Sequence, residues 1–206
     1  MKEFVVVLIA LIINTALFSQ ESSQWRGKNR DGKYHETALL KKWPEDGPKL
    51  LWHFDELGLG HASACVTNEM VYTAGTTSED GFIIAFDHSG KEVWRITYGK
   101  EWMDSYDGNR TTPVVNGGKL YMLSGYGKLV CLDAKTGNEI WNLDLFEKYL
   151  GRNTRWGMTE NLAIEGDKLF CTVGGEEANV IALNKNTGKL IWECKGLGEK
   201  SAYNSP

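Results

Sequence analysis

Ala182-Leu183-Asn184-Lys185-Asn186-Thr187-Gly188-Lys189-Leu190-Ile191-Trp192 decides the fold, because the chain says it three times. The earlier versions are Ala85-Phe86-Asp87-His88-Ser89-Gly90-Lys91-Glu92-Val93-Trp94 and Cys131-Leu132-Asp133-Ala134-Lys135-Thr136-Gly137-Asn138-Glu139-Ile140-Trp141. The tryptophans stand 47 and 51 residues apart. Upstream, Tyr72, Tyr121 and Phe170 recur every 49 residues. A period of this length built from short β-type segments is the signature of a propeller or a solenoid.

The middle repeat shows what one unit contains. Residues 112–115 are a short apolar strand, and Asn116-Gly117-Gly118 is a turn. Residues 119–123 and 128–132 are two further strands around Ser124-Gly125-Tyr126-Gly127. The repeated phrase supplies the last turn, and residues 139–143 supply a fourth strand carrying Trp141. Four strands joined by hairpins make one antiparallel blade. Complete blades are expected at about 61–98, 110–145 and 159–195. The fold class is therefore an all-β propeller of four-stranded antiparallel blades.

Within the phrase, an Asp or Asn side chain accepts from backbone N–H groups just ahead of it, Thr or Ser supports the turn, and Gly supplies the left-handed residue. The Trp is a large apolar plate for the space between sheets, with one N–H in need of a partner. Asp87, Asp133 and Asn184 are thus structural, since a residue needed in every blade is a poor catalytic candidate. His88 is an exposed turn residue.

The ends fall outside this pattern. Residues 1–20 run from Lys2 through an apolar stretch at 4–13 to small residues near Phe18-Ser19-Gln20. That is a signal peptide, short for a membrane span, which implies export to the periplasm or beyond with no stable span after cleavage. An uncleaved anchor is the alternative. Residues 21–49 form an N-terminal extension, in which Trp25 and Trp43 are expected to pin the segment to the outer blade. Residues 50–54 look like a fourth strand with its tryptophan, Trp52, but without its first three. Ser205-Pro206 matches Thr112-Pro113, the start of a blade. Three blades are short of a 4–8-blade ring, so 50–206 is read as part of a larger, incomplete ring. A ring closed by self-association and an open array are the alternatives.

A net charge of −4 with no basic stripe excludes a nucleic-acid partner. Cys65, Cys131, Cys171 and Cys194 all fall in expected strands, with no zinc spacing and no adjacent pair. Buried free thiols are expected. The four histidines make no metal-ligand spacing, so no metal site is expected.

These residues resemble the pyrroloquinoline-quinone-like β-propeller repeat family. The resemblance rests on Thr112-Pro113-Val114-Val115, Gly166-Asp167-Lys168-Leu169-Phe170 and the three Asp/Asn–Gly–Trp turns, and covers roughly 50–206. Gln24-Trp25-Arg26-Gly27-Lys28-Asn29-Arg30-Asp31-Gly32 is similar to the opening segment of secreted bacterial members, of the outer-membrane assembly type. The resemblance implies the fold strongly and quinone binding weakly. Quinone-dependent dehydrogenases of this class carry an eight-bladed ring, an adjacent-cysteine disulfide over the cofactor and a catalytic Asp beside calcium. This chain has no adjacent Cys pair, and its turn Asp residues do not map onto that base.

A site is expected where outer strands cross to the next inner strand. Two such connections are long. Residues 98–111 hold Trp102, Asp104, Tyr106, Asp107 and Arg110, and residues 146–159 hold Tyr149, Arg152, Arg155 and Trp156, with Glu160 beyond. Trp102, Arg110, Arg155, Trp156 and Glu160 are the candidate ligand-binding residues on the channel face. Aromatic and Arg groups together suit a planar ligand bearing carboxylates. Removing Trp102, a loop residue, is expected to cost much less stability than removing the turn residue Trp141. No catalytic residue is assigned. The leading expectation is a non-catalytic binding or scaffold module for an envelope protein or small ligand, without a cofactor. The alternative is a fragment of a quinone-dependent alcohol or sugar dehydrogenase, with pyrroloquinoline quinone as its cofactor.

Overall fold

The structure is a computed structural model and describes residues 22–24, 26–27, 29–34 and 37–201. The expected signal peptide, Trp25, His35 and residues 202–206 lie outside them.

Three antiparallel sheets follow one another along the chain. The first holds β2 (Cys65–Val66), β3 (Val71–Thr77), β4 (Asp80–Phe86) and β5 (Glu92–Lys100). The second holds β6 (Val114–Asn116), β7 (Lys119–Leu123), β8 (Lys128–Asp133) and β9 (Glu139–Asp144). The third holds β10 (Ala163–Glu165), β11 (Lys168–Thr172), β12 (Val180–Asn184) and β13 (Leu190–Cys194). Each is a meander of neighbouring strands, as the repeat requires. The middle sheet departs from four strands. A short β1 (Ser22–Ser23) pairs antiparallel with β6, with Ser22 opposite Asn116 and Ser23 opposite Val115. The five-residue α1 (Leu145–Tyr149) begins the connection after β9, capped by Asp144, whose carboxylate accepts from the amides of Phe146 and Glu147.

The core lies between sheets. Tyr72, Ile83, Leu120, Met122 and Leu132 join the first to the second. Tyr121, Leu129, Leu169, Ile181 and Leu183 join the second to the third. Middle strands are buried on both faces, and the outer strands β9 and β13 are largely exposed.

The repeated phrase closes each sheet in the same way. Asp133 Oδ1 accepts from the amides of Lys135 and Thr136 at 3.1 and 2.8 Å and from the Thr136 hydroxyl at 2.9 Å. Asn184 repeats this with Asn186 and Thr187. The shorter first turn uses Ser89 and Lys91, and the Ser89 hydroxyl bond leads in holding the Asp87 carboxyl below its usual range. A register shift precedes every turn, at Ala85/Phe86, Cys131/Leu132 and Ala182/Leu183. This bulge redirects the chain into the outer strand.

Each tryptophan then reaches forward to the next sheet. Trp94 Nε1 donates to the Ala134 carbonyl at 3.1 Å, and Trp141 Nε1 donates to the Lys185 carbonyl at 3.0 Å. The indole lies against the turn glycine ahead. A Cβ at Gly137 would sit 2.8 Å from the Trp94 ring, and one at Gly188 would sit 2.9 Å from Trp141. Glycine is required there twice, for a φ of +74° or +66° and for the stacked ring. The 49-residue aromatics pack on the same indoles from within their own sheet: Tyr72 on Trp94, Tyr121 on Trp141, Phe170 on Trp192.

Residues 50–54 adopt no strand pairing, yet Trp52 makes the same contact. Its Nε1 donates to the His88 carbonyl at 3.2 Å, and its ring covers Gly90. Trp192 has its own Phe170 but no turn ahead of it among the described residues, and is 40% exposed. Trp43 corrects an expectation: it is 66% exposed and so is not buried against the outer blade. None of the four cysteines is in a disulfide; Cys65, Cys131 and Cys171 are buried, and Cys194 is exposed on the outer strand.

Candidate functional site

The two long connections meet over the turn at Gly125. From the end of β5 the chain enters the first through Glu101, which is 1% exposed. A buried carboxylate needs donors on both oxygens, and Glu101 has them. Oε1 accepts from the amides of Trp102 at 2.8 Å and Gly125 at 2.6 Å, and Oε2 accepts from the Tyr98 hydroxyl at 2.6 Å. Asn109 Nδ2 donates to the same hydroxyl at 3.1 Å. Burial, then the Glu101 charge, pushes the Tyr98 phenol far up, so it stays a donor at every physiological pH. The second connection reaches the same turn: Asn153 Nδ2 and the Met158 amide both donate to the Gly125 carbonyl, at 2.7 and 3.0 Å. The loops are therefore fixed to each other and to the second sheet.

Four of the five candidate residues come together on this joint. Trp102 lies beneath the others, 5% exposed, with Nε1 donating to the Ser105 carbonyl at 3.1 Å. Its ring packs on Tyr126 at 5.1 Å between centroids and on Gly157, where a Cβ would lie 2.8 Å from the indole. Its expected loop-like tolerance is corrected by this burial. Arg110 lies over Trp102 at 5.9 Å and donates to the carbonyls of Ser105 and, at 2.8 Å, Tyr106. It acts as a loop brace. Trp156 meets Tyr106 edge-on at 5.9 Å, and the Arg155 guanidinium stacks 4.6 Å over the Trp156 ring. Tyr106 is 71% exposed and Arg155 is exposed, with no ion pair among the described residues. Beside them an open cleft of about 500 Å³ is lined by Gly58, Leu59, Gly60, His61, Tyr106 and Asp107. The His61 ring Nε2 lies 3.3 Å from the Tyr106 carbonyl.

Glu160 is the candidate that the structure places elsewhere. It is 1% exposed, and both carboxylate oxygens accept from the Thr172 amide, at 2.9 and 2.8 Å. Burial pushes its carboxyl up to about 8 against the pull of those bonds. The position has a repeat counterpart: Thr111, 49 residues earlier, donates its hydroxyl to the Leu123 carbonyl, 49 residues before Thr172.

Sequence reasoning did not find Glu101, Tyr98 or Asn109, because no repeat flags them and their pairing appears only when the loop folds back. It did not find the cleft either, whose wall at 58–61 comes from before the first sheet. The exposed set can present an aromatic surface and an Arg fork, suited to carboxylate and planar groups. It fits pyrroloquinoline quinone poorly. Trp102 has no open face to stack on, and among the described residues no three His, Cys, Asp or Glu side chains converge to hold a cation.

Stacked four-stranded meanders joined by forward-reaching tryptophans define a β-propeller repeat protein. The family described as outer membrane protein assembly factor BamB matches residues 79–205, and the chain belongs to it. A quinoprotein ethanol dehydrogenase of Pseudomonas aeruginosa is 34% identical over 111 residues, covering 54% of this chain and 17% of that protein. The outer membrane protein assembly factor BamB of Yersinia pestis is 31% identical over 113 residues, covering 54% of this chain and 28% of that protein. Among solved structures, a europium-containing methanol dehydrogenase aligns with a TM-score of 0.53 at 21% identity, over 71% of this chain and 27% of its own. That likeness shows the fold. The matches thus span under a third of each relative's length.

Proposed function

We propose that the chain is an exported, non-catalytic propeller module that binds an envelope protein or a small ligand through the face built by residues 98–111 and 146–159. The observation that carries this reading is the Tyr106–Trp156–Arg155 set, Tyr106 and Arg155 exposed and both packed on the half-buried Trp156, near the Glu101 joint and beside an open cleft. Rigid placement of aromatic and Arg anchors is what a binding surface needs. The two buried carboxyl groups, Glu101 and Glu160, are engaged by donors, and Asp87 and Asp133 close turns. Family membership and the assembly-factor relatives support a protein partner in the cell envelope. On this reading residues 1–20 direct export, residues 21–49 are an extension, and blades beyond those at 61–98, 110–145 and 159–195 complete the ring. Among the described residues no helix is long and apolar enough to cross a membrane.

The second reading, part of a quinone-dependent alcohol dehydrogenase, is favoured by the 34% identity to a quinoprotein ethanol dehydrogenase. Tryptophan fluorescence separates the two. Titrating pyrroloquinoline quinone with calcium should give no saturable quenching, and dye-linked alcohol oxidation should stay at background. Saturable quenching that Trp156→Ala abolishes, accompanied by turnover of an alcohol, would replace the binding reading with the dehydrogenase one.

A further inference from the structure

The first strands of the second and third sheets, β6 and β10, both contact the N-terminal segment. β6 is the first strand of its meander, so its outer side would be a row of unpaired backbone groups. Residues 22–23 fill part of that row by strand addition. The guest continues across to the third sheet. The Gln24 side-chain oxygen accepts from the Ile164 amide on β10 at 3.4 Å, and Arg30 pairs with Glu165 at 2.7 Å. Lys185, in the turn after β12, donates its Nζ to Asn116 Oδ1 at 2.5 Å, which ties the end of β6 to the third sheet.

The guest is held weakly. Its strand pairing covers two residues, and the Arg30–Glu165 pair is exposed on both sides, a class of contact worth about 0–1 kcal/mol. Between these anchors the chain folds on itself, with Gly27 N bonded to the Gln24 carbonyl, Arg30 N to Gly27 and Gly32 N to Arg26. Two of those turns place a non-glycine residue in the left-handed region, Arg26 at φ 64° and Arg30 at φ 58°. Such conformations cost energy that an incoming extended strand does not bear.

We propose that the β6–β10 edge is a strand-addition site for an extended basic peptide, and that residues 22–24 with Arg30 occupy it in cis as an exchangeable plug. Affinity comes from main-chain pairing along β6, as in other strand-adding recognition sites. Selection comes from the Ile164 amide, which takes an amide or hydroxyl acceptor, and from Glu165, which takes a basic side chain.

The test uses the whole exported chain. Hydrogen exchange at the Ile164 amide reports the plug directly. Arg30→Glu should speed that exchange by about fivefold, the effect of losing roughly 1 kcal/mol, and adding Glu165→Arg should restore it. A fluorescent peptide of residues 22–34 should bind the Arg30→Glu chain saturably and the unaltered chain weakly, while Glu165→Arg alone should abolish its binding. Unchanged Ile164 exchange in the Arg30→Glu chain, with no peptide binding to it, would overturn the proposal.

Discussion

Trp141→Ala should lower the unfolding free energy by about 3 kcal/mol, the low end for deleting a large core aromatic because this indole is only partly buried. The same change at Trp43, which is 66% exposed and stands outside the repeats, should cost under about 1 kcal/mol, in the range of an exposed site. Trp141 packs on Tyr121 within its own sheet and reaches the turn of the next. Trp141 covers Gly188 and donates to the Lys185 carbonyl, so its removal opens the joint between the second and third sheets and leaves a buried acceptor short of a donor. Denaturant melts of both variants check this. Equal losses would mean that the forward contact contributes nothing to stability.

Glu160→Gln should stabilise the chain by a few kcal/mol near pH 9 and make almost no difference near pH 4. The fold holds this carboxyl protonated up to about pH 8, against about 4.5 for an unperturbed one. Between those values the folded chain binds a proton that the unfolded chain releases. The stability linked to that proton is complete below about 4.5 and is lost as pH rises through 8. A shift of this size corresponds to a few kcal/mol at about 1.4 kcal/mol per pKa unit. Glutamine keeps an oxygen for the Thr172 amide and has no proton to lose, so its melting curve should lack that slope. Parallel pH profiles for the two proteins would show that Glu160 titrates normally.

The repeat made the scaffold legible before any coordinates. Asp133, Thr136, Gly137 and Trp141 each have one local task, and local tasks leave a spacing that can be read. The destination of each indole was not legible, because the carbonyl it seeks is 40 to 44 residues away and belongs to whichever turn stacks next. The site divided along the same line. Trp156, Arg155 and Arg110 gather as their loop positions imply. Trp102 and Glu160 lie in equally polar stretches and are nonetheless buried, Trp102 because Gly157 from the other loop closes over it and Glu160 because it stands at the Thr111 position of its repeat. A composition-based view of a loop cannot distinguish a residue that faces water from one the neighbouring loop covers. The strand at 22–23 was equally hidden, since two serines carry no strand pattern and the pairing is made entirely by main-chain groups.

The forward contact of each tryptophan is the feature on which the whole architecture depends, and indole N–H exchange followed by NMR measures it most directly. The Nε1 protons of Trp94 and Trp141 should be protected, each held by a carbonyl of the next sheet, while that of Trp43, 66% exposed, should exchange at close to the rate of free indole. Fast exchange at Trp94 and Trp141, matching Trp43, would contradict the account.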